Sequence, residues 1–371
     1  MVGPESLKRM SFRYREAMEG EKNRLRKERT GKTRLWVNIE EPMAYVRLFG
    51  LDYGRFLSDA AYNIEKTLEY RLWRFENIDD AMTLGNGIGA ALGYYPEYTF
   101  VGMGLSFDDM GVPIIQEDHP ISRNSDLSLL QPLDFENSGW MPRLLRWYDE
   151  MKQAAGDEYE VGFQTWWRGS LDLAIQMRGY ENVVVDSMEN PEFLHALLDY
   201  FTRSRMEWYS AYSARFGCDI TKAYIGDDWL NVPFITPEFF DEFVMPCYRK
   251  LEQFHGGIGG IHSCGNQTPL HKSMSTLKTL GSVEVSAWSD LAGTLEAVPE
   301  HYGIIASVHP NDVLFASPED IRSRLERFSR LTKGRRFTLA TSGLTPGEGE
   351  SESSFLAEIK RFTDIFKEYF S

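Results

Sequence analysis

Cysteine is scarce in this chain. Cys218, Cys247 and Cys264 are the three present in 371 residues, an odd number at irregular spacing that implies no disulfide framework and points to a reducing compartment. Long apolar runs are missing as well, with no stretch long enough to cross a bilayer. The opening Met1-Val2-Gly3-Pro4-Glu5 has none of the apolar core of a signal peptide. The expectation is a cytoplasmic protein. Positive charge is in deficit: 40 Lys and Arg face 55 Asp and Glu, a net charge of -15. That balance argues against nucleic acid as a partner and leaves a small molecule as the expected ligand.

What is present suits a large buried core. Hydrophobic residues make up 42% of the chain, and short apolar runs alternate with helical patterns. Arg34 to Ile39, Glu160 to Gln164, Ile220 to Ile225, Ile258 to Ile261, Val283 to Ser286, Gly303 to Ser307 and Phe337 to Ala340 read as strands. Helices are predicted from Tyr53 to Phe75, Pro142 to Ala155, Ser187 to Phe216, Thr236 to about His255, Pro318 to Leu331 and Ser351 to Phe370. Pro246 is expected to kink its helix. Residues 1–30 read as a charged helical extension, the run Glu21 to Arg29 as a solvated face. Tyr98 to Val101 looks like a further strand, Gly85 to Gly89 like ordinary loop, and Gly104 to Gln131 like a turn-rich insertion before the third strand that acts as a flap. About eight strand-plus-helix units without a linker predict an α/β fold, a single (β/α)8 TIM barrel over residues 31–371, with its active site at the carboxyl ends of the strands.

One strand end carries chemistry. Gly260-Ile261 leads into His262-Ser263-Cys264-Gly265, and residues two apart on a strand point to the same side. An imidazole and a thiol side by side supply two of the three protein ligands that a catalytic zinc needs.

The run Thr236-Pro237-Glu238-Phe239-Phe240-Asp241-Glu242-Phe243-Val244-Met245-Pro246, followed by His262-Ser263-Cys264-Gly265, resembles the uroporphyrinogen decarboxylase superfamily, whose fold is a (β/α)8 barrel. It is most similar to the zinc-dependent corrinoid methyltransferases of the methylcobamide:coenzyme M type, and the similarity runs from about Gly162 to Phe370. Decarboxylases of the superfamily carry an arginine-rich signature after the first strand. Here Glu40 and Glu41 occupy that place, a poor match for a polyanionic porphyrinogen.

The methyltransferase resemblance implies zinc on His262, Cys264 and a second cysteine near the last strand, where this chain has Gly343. Asp227 and His309 are the replacement ligands considered, with Asp228 expected to cap a turn. Arg168 is the expected cation for a substrate carboxylate or for pairing with Asp227, and Glu40 an acid/base or an Arg168 partner. Trp166, Trp229 and Trp288, with Asn311, are expected to contact substrate.

The resemblance also implies a corrinoid carried on a separate protein, and a homodimer. A metal-free decarboxylase or lyase on the same barrel and a non-catalytic binding barrel are the competing expectations.

Overall fold

A computed structural model of the chain describes residues 4–29, 33–107, 113–116 and 118–370. Its strands are β1 Thr33–Trp36, β2 Gly87–Ala90, β3 Leu105–Phe107, β4 Pro113–Ile115, β5 Glu160–Phe163, β6 Ala223–Gly226, β7 Ile258–His262, β8 Ser282–Val285, β9 Gly303–Val308 and β10 Phe337–Thr341. Helices separate most of them, so the fold is α/β with parallel pairing, as the alternation predicts. The chain divides into two compact units. One comprises Met1–Ala90, Trp147–Phe163 and Gly303–Ser371, the other Ala91–Arg146 and Gln164–Tyr302. No helix among the described residues is long and apolar enough to cross a membrane.

In the first unit β10 lies between β1 and β9, parallel to both. Phe337, Leu339 and Ala340 of β10 are buried, the apolar content expected of a strand paired on both edges. The glycine-rich segment read as loop is in fact β2, which pairs in parallel with β5. Its neighbour's ladder of hydrogen bonds outweighs the poor strand propensity of glycine.

The N-terminal helix Pro4–Glu19 packs on the helix Ala60–Asn77, and the Tyr14 hydroxyl donates to the Gly85 carbonyl at 2.9 Å. The charged run after it is not a uniformly solvated face. Asn23 and Arg26 are buried, and the Arg26 guanidinium donates to the carbonyls of Ile78 (2.8 Å), Met82 (3.1 Å) and Phe75 (3.3 Å). Those carbonyls end a helix and begin a loop, and the planar fork of arginine satisfies all three at once.

In the second unit β6 and β7 run parallel, with Ala223 opposite Ile258 and Gly226 opposite His262, and β8 packs beside β7. The predicted strand Tyr98 to Val101 falls in the helix Tyr95–Phe100. A four-residue apolar run does not distinguish a strand from one buried helical turn, and Pro96 in the first turn decides for helix. The turn-rich insertion holds an antiparallel β3–β4 hairpin, while its residues 108–112 and 117 lie outside the described residues. The long helix predicted from Ser187 divides at Asn190 into Tyr180–Glu189 and Pro191–Phe216, and Gly217 closes it with φ of 65°.

The next helix opens at Thr236 as expected, and the Thr236 side chain caps it by accepting from the Phe239 N–H. Instead of a simple kink, the backbone ahead of Pro246 widens into a π-helical turn, Phe240–Val244. That turn is one way to accommodate a ring that lacks an N–H.

Replacing the buried arginine tests this account of the N-terminal segment. Arg26→Met leaves three carbonyls without their donor and is expected to lower stability by about 2–4 kcal/mol, read from urea unfolding. A midpoint equal to wild type would show that the segment does not depend on those bonds.

Candidate active site

The second unit places a sulfur, an imidazole and a carboxylate together at the carboxyl ends of β6 and β7. His262 is the last residue of β7. Cys264 lies in the turn beyond it, yet its Sγ comes within 3.5 Å of His262 Nε2. Asp228 follows β6 by two residues, and its Oδ1 is 3.6 Å from the same Nε2. The ligand atoms of Asp228, His262 and Cys264 all lie within 4.8 Å of one another.

Backbone bonds explain the meeting. The Asp227 N–H donates to the His262 carbonyl at 2.9 Å, extending the parallel pairing past the strand ends. Ser263, buried between His262 and Cys264 in the chain, donates from Oγ to the carbonyls of Asp228 and Leu230, both at 3.1 Å.

Glu284, from β8, completes the arrangement. Its carboxylate oxygens are 2.8 and 2.9 Å from His262 Nδ1. A carboxylate only accepts, so Nδ1 carries a proton, and Nε2 is the nitrogen that faces Asp228 and Cys264. Burial opposes charge on this imidazole, but its bonds to Cys264 and Glu284 outweigh that penalty and raise its pKa to about 10. Asp228 Oδ1 is buried and accepts no hydrogen bond.

A sulfur, an imidazole nitrogen and an unsatisfied carboxylate oxygen, backed by a carboxylate behind the imidazole, suit a zinc-class cation. Cys264 is exposed while Asp228 and His262 are half-buried, leaving the group accessible from one side.

Beside this group lies a cavity of about 420 Å3, lined by Tyr94, Tyr98, Trp229 and Phe234 together with Arg168, Asp172 and Asp228. Arg168 Nη1 is 2.8 Å from Asp228 Oδ2 and 3.3 Å from Asp172 Oδ2, and its guanidinium stands over the Tyr94 ring at 4.6 Å. Burial works against the charge of Arg168, but Asp172 and Asp228 outweigh it and raise its pKa. Asp172 in turn is pushed up to about 6 by burial, against the pull of Arg168 and the Tyr98 hydroxyl.

The loop that carries Arg168 is pinned from beneath. Glu97 is buried, and its two oxygens accept from the backbone N–H groups of Trp167 (2.8 Å) and Arg168 (2.7 Å).

The sequence-predicted residues fare differently. His262 and Cys264 meet as expected. Asp227, expected as a ligand or catalytic acid, points away from the group: it is fully buried and accepts from the Tyr248 hydroxyl at 3.0 Å and the Leu171 N–H at 3.3 Å. Burial and the neighbouring Asp172 push its carboxyl well above the usual range. A Cβ at position 169 would meet Asp227 Oδ2 at 2.2 Å, so the loop passes over this carboxyl only as glycine. Its neighbour Asp228, expected to cap a turn, stands beside His262 and Cys264 instead, because consecutive residues past a strand end face opposite ways.

Trp166 is 1% exposed and packs edge-on against Phe100 and Trp208. It supports the site from below rather than contacting substrate. Trp229 lines the cavity, stacked on Tyr180, and Trp288 is 65% exposed beyond β8.

Glu40, His309 and Asn311 belong to the first unit. His309 lies outside the donor group found among the described residues. Its Nδ1 accepts from the Asn311 N–H at 3.1 Å, at the start of the helix Pro310–Leu314. A Cβ on Gly343 would meet Glu40 Oε2 at 1.9 Å, so a cysteine there would first have to turn the glutamate away.

Glu284, Asp172 and Glu97 were missed. A lone charge between Val283 and Val285 in an apolar strand was a signal for Glu284, and the four-residue spacing on a helix start was one for Asp172. Nothing local marks Glu97.

Burial raises Glu97 from 4.5 to about 7, against the pull of its two N–H donors. Between those values the folded protein holds a proton that the unfolded chain releases. Stability should therefore fall as pH rises from about 5 to about 7.5. In Glu97→Gln this part of the slope is expected to vanish, with a lower stability at acid pH from the weakened N–H contacts. Melting temperatures of both proteins across that range measure it, and parallel curves would remove Glu97 as the source.

The family model for uroporphyrinogen decarboxylase (URO-D) matches residues 96–368. Among curated proteins, uroporphyrinogen decarboxylase of Prochlorococcus marinus (strain MIT 9313) is 26% identical over 279 residues, 71% of this chain and 75% of its own. That of Synechococcus sp. (strain CC9605) is 28% identical over 260 residues, 67% and 71% respectively. The matched span takes in Glu97, Arg168, Asp228, His262, Cys264 and Glu284, and the chain belongs to the uroporphyrinogen decarboxylase family.

Proposed function

We propose that this family member is a zinc-dependent methyltransferase on a (β/α)8 barrel, moving a methyl group between a corrinoid carried by a separate protein and a small substrate or thiol. The observation that carries this reading is the Asp228–His262–Cys264 group with Glu284 behind the imidazole. A decarboxylase acting on a polycarboxylate needs cations at hand for its substrate. Here Arg168 already binds two carboxylates, which favours a substrate that brings no carboxylates of its own.

A divalent cation held there supplies Lewis acidity, stabilising a substrate thiolate or polarising a methylated heteroatom. The chain's own residues do the rest. Asp228, His262 and Cys264 are the ligands, and Glu284 keeps the Nδ1 proton in place so that Nε2 stays a donor to the cation. Tyr94, Trp229 and Phe234 offer aromatic surface that displaces water from a bound small molecule.

The relatives' names favour a second reading, a metal-free decarboxylase or lyase. Its test is turnover that survives exhaustive chelation.

Elemental analysis of the purified protein is expected to find about one zinc per chain, absent from Cys264→Ser and His262→Ala. Methyl transfer involving a corrinoid protein should be lost in both. Metal-free wild-type protein would overturn the proposal. Glu284→Gln keeps all three ligands but loosens the imidazole, so zinc affinity should fall about 10- to 100-fold in a chelator competition. Unchanged affinity would show that Glu284 plays no part in ligand positioning.

A further inference from the structure

We infer that Arg168 is a positioning residue for the metal group, holding the Asp228 carboxylate so that Oδ1 faces His262 and Cys264. This rests on the metal-binding reading above and gives Arg168 a role that differs from a substrate clamp.

The geometry is one-sided. Arg168 Nη1 takes Asp228 Oδ2 at 2.8 Å. The other oxygen, Oδ1, is buried, accepts no hydrogen bond, and lies 3.6 Å from His262 Nε2. A carboxylate turns readily about its last torsion, and its two oxygens are equivalent until one is engaged. With Oδ2 engaged, Oδ1 has one direction left to point.

The arginine itself has little freedom. Asp172 Oδ2 lies 3.3 Å from the same Nη1 and accepts the Tyr98 hydroxyl at 2.8 Å. Tyr94 lies under the guanidinium, and the Arg168 N–H is fixed on Glu97 Oε2. The side chain is 13% exposed. Restraint on this scale is what a ligand-orienting residue needs, and a surface ion pair lacks it. The same engagement commits Nη1 to Asp172 and Asp228, so the charge that an anion would meet in the cavity is already answered by two carboxylates.

The test is a double-mutant cycle on metal affinity. Wild type, Arg168→Met, Asp228→Asn and the double variant are titrated with Co(II), following the d–d absorption bands, with zinc affinity taken from chelator competition. Arg168→Met is expected to weaken binding about 10- to 100-fold and to shift the bands, since the ligand set changes. On the Asp228→Asn background the same substitution should add nothing, because its effect passes through Asp228. If Arg168→Met does not fold, Arg168→Gln takes its place in the cycle with the same expectations.

Affinity and bands equal to wild type would overturn the inference and leave the metal site standing. So would a loss of equal size on the Asp228→Asn background, which marks a general structural effect. Failure of wild-type protein to bind either metal would bring down the functional reading itself.

Discussion

The carboxylate of Glu284 on His262 Nδ1 is the contact on which the rest of the site depends. An imidazole offers two nitrogens, and which one carries the proton decides whether it can act as a ligand in a given direction. Glu284 makes that decision by accepting at Nδ1, leaving Nε2 to face Cys264 and Asp228. Without it, the sulfur and the carboxylate would lie beside a ring of undefined tautomer. Other histidines in the same unit show the alternative. His271, buried between Thr294 Oγ1 and the Glu284 carbonyl, has both nitrogens engaged in packing and none left for chemistry.

The surroundings are arranged so that charges near the site are answered before any ligand arrives. Arg168 stands between Asp172 and Asp228, Tyr98 donates to Asp172, and Glu97 takes two backbone N–H groups beneath them. Buried charges are tolerated when partners and hydrogen bonds surround them. Arg168 Nε, Asp227 Oδ1 and Asp228 Oδ1 depart from that pattern, and of these Asp228 Oδ1 is the one that lies 3.6 Å from an imidazole nitrogen.

Much of the architecture was legible in the sequence. Short apolar runs ending in polar residues foretold β1, β5, β6, β7, β8, β9 and β10, because a strand that packs on helices needs apolar side chains for its covered face. The long helix was expected to end at Phe216 and the next to open at Thr236, and Gly217 and the Thr236 cap mark both places. The misreadings share a cause. Gly87–Ala90 is a strand because β5 pairs with it, and Arg26 is buried because the carbonyls at the end of the helix Ala60–Asn77 and in the loop beyond need a donor. In both cases a partner distant in sequence overrides the local preference.

The meeting of His262 and Cys264 was within reach of the sequence alone, since residues two apart after an apolar run point to the same side. The sequence also left that pair without a second cysteine, because Gly343 stands where the resemblance implies one. Which group comes to stand beside the pair, only the tertiary structure decided. Asp227 and Asp228 are chemically identical and adjacent, and nothing in their order tells which one turns inward. The hydrogen bond from Asp227 N–H to the His262 carbonyl and the reach of Ser263 to two carbonyls set that rotation. They are contacts between segments about 35 residues apart, formed when parallel strands align and absent from any local pattern.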